Sequence, residues 1–493
     1  MAREGVLTLD QGTTSSRAIV FDQEGGVLAL SQREFPQIYP QPGWVEHDPE
    51  AIWASVLATA REALEQAARK RVRVRGVGLT NQRETAIIWE RATGRPIHNA
   101  IVWQDRRTAA RCEEITGEGA GEVVAEKTGL VMDPYFSATK FDWILNKVDG
   151  AREAAIRGEL AFGTVDSFLI WRLTGGASHV TDATNASRTS LFDLRASQWD
   201  EGLLELFRVP AAGLPEVKDC ADDFGETRKD LLGVALPIRG VAGDQQAAAI
   251  GQACTRAGEM KSTYGTGAFL LVNTGKEMTR SQSRLLSTVA YRLGGETAFA
   301  LEGSILSAGS TVQWLRDGLG LVSDAAETEA LAAGADPDSG VYLVPAFTGL
   351  GAPWWDADAR GALVGLTRGT GRAEIALAAL DAAAHQTCDI LDAVDSDGVA
   401  VSQLRVDGGM ARNDLFLKRL AALSGESVLR PEQTEATAWG AAFLAWLGLG
   451  EFGSIEEIGR LGRDARFDPD MAVEQRARLR SGWAEAIGRV RSR

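Results

Sequence analysis

Cysteine is scarce in this chain: four in 493 residues, at positions 112, 220, 254 and 388, with no two in a Cys-x-x-Cys spacing. That pattern indicates neither a thiolate zinc site nor a disulfide framework, and a reduced, cytoplasmic setting is the expectation. Histidine is equally rare, with four residues at 47, 98, 179 and 385 that make no ligand pair; His385 reads as structural. No basic cluster offsets the net charge of −15, from 52 basic and 67 acidic residues, so nucleic acid and anionic membrane are poor partners. The most apolar run, 438–449, is too short for a membrane span, which needs about 20 residues. The first five residues lead into an apolar run without a secretory signal pattern. The motifs G-x-x-x-x-G-K-[ST], G-x-S-x-G and H-E-x-x-H are all missing, which argues against P-loop, α/β-hydrolase and zincin chemistry. What remains is an ordinary globular composition, 45% hydrophobic and 24% charged, in a chain long enough for two domains.

The stretch Leu9-Asp10-Gln11-Gly12-Thr13-Thr14-Ser15-Ser16-Arg17 organises the rest. It lies between apolar runs at 6–9 and 18–21, each the length of a buried strand, so a β-hairpin is expected. Gly12 lets a ligand approach the backbone, and the turn N–H groups can form an anion nest beside the hydroxyls of Thr13, Thr14 and Ser15. Arg17 adds a cation and Asp10 a carboxylate suited to hydrated Mg²⁺. Phosphate with Mg²⁺ is the natural guest. A Ser/Thr turn bonding only its own backbone is the plainer alternative; Asp, Gly, hydroxyls and Arg together weigh against it.

Further along, Asp48-Pro49 reads as the start of a helix, with Asp as N-cap and Pro at the first helical position. A strand at 74–79 ends in a polar stretch carrying Arg83 and Glu84, and strand ends are where ligands gather in open α/β sheets. A surface ion pair is the competing reading of those two residues. Trp103, after a strand at 100–102, is read as core or as ligand wall. A helical pattern follows at 135–146, then strands and loops over 147–240 with polar turns at 181–187. A strand at 236–241 runs into Gly243-Asp244-Gln245-Gln246, where Asp244 is either a helix N-cap or a functional carboxylate, and a small-residue helix at 247–253. Residues 260–272 repeat the strand, Gly-Thr-Gly turn, strand pattern around Thr266, which suggests duplicated domains facing one another. The strand at 404–407 ends in Gly408-Gly409 with Asn413 near the next helix start: a place for a planar base, or a plain strand-to-helix turn. Gly440 and its Ala neighbours should let the 435–448 helix pack closely.

These stretches, in order and to about residue 450, resemble the FGGY carbohydrate kinases, and within them the members that phosphorylate glycerol. The resemblance implies an α/β fold of two duplicated ribonuclease-H-like domains, as in actin and hexokinase, over 1–250 and 251–493, with the active site in the cleft between them. It implies ATP and Mg²⁺ as cofactors and formation of sn-glycerol 3-phosphate, with glycerol and ATP as small-molecule partners and a homo-oligomer, dimer or tetramer. Carried over by position, Thr13, Thr14, Ser15 and Arg17 form the first phosphate loop and Asp10 holds the metal. Thr266 belongs to the second phosphate loop, Gly309 and Gln313 contact phosphate and ribose, and Gly409 and Asn413 hold the adenine side. Arg83, Glu84, Tyr135, Asp244 and Gln245 bind glycerol between the apolar walls Trp103 and Phe269, with Asp244 as general base. A carboxylate bound as a helix cap would have a low pKa. The chain departs from relatives with sugar-bisphosphate or phosphotransferase control at 224–237, in having no histidine between 180 and 384, and at 474–493. Alternatives are another FGGY kinase of a pentulose, erythritol or gluconate, or a non-catalytic actin-like ATP-binding protein.

Overall fold

The computed structural model describes residues 3–492. The chain opens with β1 (Arg3–Gln11), β2 (Ser15–Phe21) and β3 (Val27–Glu34), followed by helix α1 (Pro49–Arg69) and β4 (Val72–Asn81). β1 and β2 form the expected hairpin, with Asp10 opposite Arg17, and β3 continues the antiparallel run. β4 joins β1 on its other edge in parallel. As expected, Asp48 caps α1 by accepting from the Glu50 N–H. The central strands are buried almost throughout, which is why their sequences read as continuous apolar runs.

Helices α2 (Ala138–Lys147) and α3 (Val165–Thr174) come next, then β5 (Ile238–Gly243), which closes the first sheet in the order β5-β4-β1-β2-β3, and helix α4 (Asp244–Gly251). The expectation of strands and loops over 147–240 is corrected by α3. Eight of its ten residues are buried, so no polar face marks a helical period. Within 181–187, residues 183–186 form a short helical turn capped by Asp182.

The second half begins with β6 (Glu259–Tyr264), β7 (Ala268–Gly275), β8 (Leu286–Leu293) and β9 (Glu296–Ile305). It continues with α5 (Gly309–Asp317), α6 (Arg372–Ser396), β10 (Gln403–Asp407), α7 (Asp414–Ser424), β11 (Val428–Pro431), α8 (Ala436–Gly448) and β12 (Asp464–Phe467). Its sheet runs β8-β9-β7-β6-β10-β11-β12. The inner order β9-β7-β6-β10-β11 repeats β3-β2-β1-β4-β5: an antiparallel three-strand run joined to two parallel strands. The duplication glimpsed in two Gly-Thr turns therefore extends over both sheets, and the ribonuclease-H-like pairing of halves holds.

α8 belongs to the second half of the chain but lies on the first sheet. Glycine makes that approach possible. A Cβ on Gly78 would stand 2.3 Å from the Ala441 carbonyl oxygen, and one on Gly440 would stand 1.9 Å from that of Ala247. Trp439, Phe443 and Trp446 fill the space around this contact. Among the described residues no helix is long and apolar enough to cross a membrane. All four cysteines are buried and unpaired. His385 is buried and stacked on Trp483 at 5.0 Å, in keeping with a structural role.

Candidate active site

The C-terminal end of β4 delivers Arg83 and Glu84 into the interior, each 2% exposed, which removes the surface-pair reading. Ionised groups there must find partners. Arg83 Nε lies 3.2 Å from Asp244 Oδ1, and its Nη1 donates to Glu302 Oε2 at 2.7 Å and Gln246 Oε1 at 3.2 Å. Arg188 donates through Nε to Glu84 Oε1 and through Nη2 to Glu302 Oε1, both at 2.7 Å. Burial works against the Glu302 charge, but Arg188 and Arg83 overcome it and hold the carboxyl at about 2.

Glu84 adopts a left-handed backbone, φ 59°, a costly conformation for a residue with a side chain. Its carbonyl accepts from Ser137 Oγ at 3.0 Å and Lys140 Nζ at 3.3 Å. Lys140 also donates to the Tyr135 carbonyl at 2.6 Å, so one buried ammonium ties together the backbones of two predicted glycerol ligands. Burial lowers that ammonium to about 7.

Of the two readings left open for Asp244, the cap is not the one observed. The N-cap of α4 is Gly243, and Asp244 is the first residue of the helix. The chain turns one residue early because the Gly243 N–H is held by Thr184 Oγ1 at 2.9 Å. A Cβ at Gly243 would also strike Arg83 Cδ at 2.7 Å. Nor is the Asp244 carboxyl lowered as a capping group would be. Burial pushes it up to about 6, against the pull of Arg83 and with the help of Glu84. Its side chain keeps 31% of its surface open, unlike the fully enclosed Glu84 and Glu302. Beside it, the Gln245 side chain accepts from Lys261 Nζ, which also donates to the Phe269 carbonyl at 3.1 Å.

The aromatic residues gather as expected. Trp103 stands edge-on to Tyr135 at 5.7 Å and to Phe269 at 6.4 Å, and its indole N–H donates to Thr13 Oγ1 at 3.0 Å. Trp103 thereby links the acceptor end to both Gly-Thr turns, since Phe269 follows the Thr266 turn at the start of β7. In the first turn Gly12 N–H bonds the Ser15 carbonyl at 2.9 Å, and Thr14 is exposed. Arg17 is paired with Asp10 and, at 2.5 Å, with Glu435 at the start of α8. Its charge is balanced by two carboxylates, so a phosphate would compete with them for it.

Thr266, Gly309, Gln313, Gly409 and Asn413 line one cavity of about 530 Å³. The Thr266 turn is docked on the start of α5: Gly309 N–H bonds the Gly265 carbonyl at 2.9 Å, and Thr266 O accepts from Ala308 at 2.9 Å and Ser310 at 3.0 Å. Asn413 caps α7, accepting from Phe416 N–H at 2.9 Å. A wider surface groove of about 840 Å³, along α1 and residues 230–237, contains none of the predicted residues.

Sequence reading missed Arg188, Glu302, Lys261 and Lys140. Glu302 left one signal: a carboxylate inside the apolar run of β9, which demands a buried partner.

The description "FGGY family of carbohydrate kinases, N-terminal domain" matches residues 5–251, and its C-terminal counterpart matches residues 260–449. A glycerol kinase of Rhodospirillum centenum is 59% identical over 491 residues, covering 99% of both chains. Another from Allorhizobium ampelinum is 58% identical over 489 residues, 98% of both. The crystal structure of Plasmodium falciparum glycerol kinase with ADP matches with a TM-score of 0.95 at 36% identity, over 99% of this chain and 98% of that one. A gluconate kinase from Lactobacillus acidophilus shares the fold, with a TM-score of 0.89 at 21% identity over 99% and 98% of the two chains.

Proposed function

The chain belongs to the FGGY family of carbohydrate kinases, and from that premise we infer that it transfers a phosphoryl group from ATP to glycerol, forming sn-glycerol 3-phosphate. The observation that carries the chemistry is Asp244: a carboxylate beside Arg83, raised to about 6 and still partly exposed. A general base works best with a pKa near the operating pH. Asp244 takes the proton from the terminal hydroxyl of glycerol as the new O–P bond forms and the bond to the β-phosphate oxygen of ADP breaks. The transfer is loose, so orienting the acceptor matters more than basicity.

Arg83 donates to an acceptor hydroxyl, Glu84 accepts from one, and Tyr135 and Gln245 serve either way. Trp103 and Phe269 cover the carbon chain and keep water, the competing acceptor, away. A site built for hydroxyls discriminates against analogues that lack them, because its own polar groups would be stranded. Relatives at 54–59% identity carry the name glycerol kinase, whereas the gluconate and xylulose kinases of this fold stand at 19–25%. That contrast favours glycerol over the other FGGY substrates and over a non-catalytic scaffold.

The cavity around Thr266, Gly309, Gln313, Gly409 and Asn413 fits the nucleotide: a Cβ at Gly409 would meet no atom within 4 Å, so the glycine leaves the space that a side chain would take. Thr13, Thr14, Ser15 and Arg17 receive the phosphates from the facing turn. Asp10 is 5% exposed, and no group of three or more acidic, His or Cys residues suits a metal among the described residues. That donor set fits Mg²⁺ carried by phosphate oxygens and water, with Asp10 reaching it through water. Magnesium so held supplies charge neutralisation of the phosphates. We assign acceptor binding to a domain of residues 1–250 and nucleotide binding to one of 251–493, in a cytoplasmic homo-oligomer. ADP release measured across glycerol, dihydroxyacetone, xylulose and gluconate should be fastest with glycerol; turnover independent of any polyol, or faster with a sugar, would overturn the reading.

A further inference from the structure

Glu302 is an acidic side chain of the second half that bonds both buried arginines of the acceptor cluster. It is 0% exposed on β9, and its two oxygens receive different arginines of the first half, Arg83 and Arg188, each at 2.7 Å. Glu84 also stands between the two guanidiniums, 2.7 Å from Arg188 and 3.9 Å from Arg83, but Glu302 is the carboxylate hydrogen-bonded to both arginines. Each also holds a predicted glycerol ligand: Arg83 Nε lies 3.2 Å from Asp244, and Arg188 Nε bonds Glu84 at 2.7 Å. The Arg188 guanidinium carbon stands 5.7 Å from the Tyr135 ring and 5.3 Å from that of Phe136, and its Nη1 has no hydrogen-bond partner among the described residues, so Glu302 and Glu84 accept the hydrogen bonds that direct it between the rings. Around this point the halves are pinned by neutral bonds as well: Ser187 to Thr288 at 3.0 Å, and Gln246 to the Val289 carbonyl at 3.1 Å.

We propose that Glu302 is a positioning residue for the acceptor: it sets Arg83 and Arg188 side by side, and thereby makes glycerol binding depend on the seating of β9 against the first half. It touches no substrate and acts through the two arginines. The proposal rests on the acceptor-site reading above, and the test separates the two. In the full-length chain, Glu302→Gln keeps the size and one acceptor oxygen but removes the charge. KM for glycerol, and Kd for glycerol by calorimetry, should rise roughly ten- to a hundredfold, the cost of a charged hydrogen bond. KM for ATP should change less than about threefold, which a general loss of structure would not spare. Glu302→Asp keeps the charge and withdraws it by one methylene; it should show the same split, and it serves if the Gln variant does not fold. An unchanged glycerol KM in a folded variant, or equal losses for glycerol and ATP, would overturn the proposal. Arg83→Ala is the control. If it raises glycerol KM while Glu302→Gln and Glu302→Asp do not, the proposal alone fails; if Arg83→Ala leaves glycerol KM unmoved, the acceptor-site reading fails with it.

Discussion

The two ends of the cleft are built from different materials. The proposed acceptor end is made of charged side chains with almost no exposure, Arg83, Glu84, Arg188 and Glu302, paired with one another, with the buried Lys261 beside them on Gln245. The proposed nucleotide end is an open cavity in which Thr266 and Gly409 are exposed on turns and Gln313 on α5, and in which the charged lining, Arg316, Asp324, Glu329 and Arg412, is exposed or half-buried. Buried charges hold a fixed geometry because misplacing one strands its partner, which suits recognition of a small triol by its hydroxyls. Backbone N–H groups and glycine faces suit a large anion, whose phosphates need many weak donors and room. Substitutions at the first end should therefore act through charge, and at the second through shape.

The largest effect should come from the acceptor end. Asp244→Asn keeps the volume and an acceptor oxygen but cannot take a proton. We expect kcat to fall by about 10²–10⁴ with KM for ATP nearly unchanged. Stability should not fall with it. The Asp244 carboxyl is higher in the folded protein than in the unfolded chain, so folding is favoured by its proton at low pH and loses that contribution as pH rises through about 6. At neutral pH the ionised group is a cost, and thermal unfolding at pH 8 should give a Tm for the Asn variant equal to or above that of the parent. A lowered Tm with near-normal kcat would break the comparison at its acceptor end.

At the nucleotide end a single methyl should do what charge does at the other. A Cβ on Gly309 would sit 2.4 Å from the Gly265 carbonyl oxygen, a backbone atom that can move only with the Thr266 turn. Overpacking of this kind costs about 1–3 kcal/mol, or roughly 5- to 150-fold in KM for ATP if the strain is relieved by shifting the turn. Glycerol Kd measured without nucleotide should stay within about twofold. Equal effects on the two substrates would show that the turn supports the acceptor end as well.

The pH dependence sharpens the contrast further. With Asp244 as the proposed base, its ionised form is the one that works, so kcat/KM for glycerol should fall about tenfold per pH unit below about 6. Nucleotide analogue binding should not share that limb, because Asp244 does not line the cavity. A profile for glycerol that stays flat down to pH 5 would put the base elsewhere.

How much of this was visible in the sequence follows the same division. The residues proposed for the nucleotide could be grouped from sequence because their parts are local: a Gly-Thr turn between strands and a Gly pair before a helix are read within ten residues. Five residues predicted there line one cavity. The acceptor cluster was half legible. Arg83 and Glu84 stood out at a strand end, but Arg83 meets Glu302 across 219 positions and Arg188 meets it across 114, and no short pattern encodes such a meeting. The α3 helix was missed because burial on all sides erases periodicity. Asp244 stayed open between cap and functional carboxylate because Gly-Asp before a helix looks the same whichever residue takes the cap. The deciding contact, Thr184 on the Gly243 N–H, lies 59 positions away.

The smallest expected effect tests whether Asn413 belongs to the nucleotide end at all. Its side-chain oxygen is occupied, accepting from Phe416 N–H at 2.9 Å as the cap of α7, so its amide N–H₂ is the part left for a base or ribose. The two roles separate by substitution, because Asp caps a helix as well as Asn. Asn413→Asp keeps the cap and replaces the donor with an acceptor. Its Tm should stay unchanged, while the loss of one neutral hydrogen bond, about 0.5–1.5 kcal/mol, should raise KM for ATP by roughly 2- to 12-fold. Asn413→Ala removes both roles, and should show the same rise in KM together with about 1 kcal/mol less stability in urea unfolding. If Asn413→Asp matches the parent in KM and only Asn413→Ala is affected, through Tm alone, then Asn413 is a cap that happens to face the cavity. The nucleotide would then receive one side-chain donor fewer from this end, and the contrast with the tightly paired acceptor end would grow.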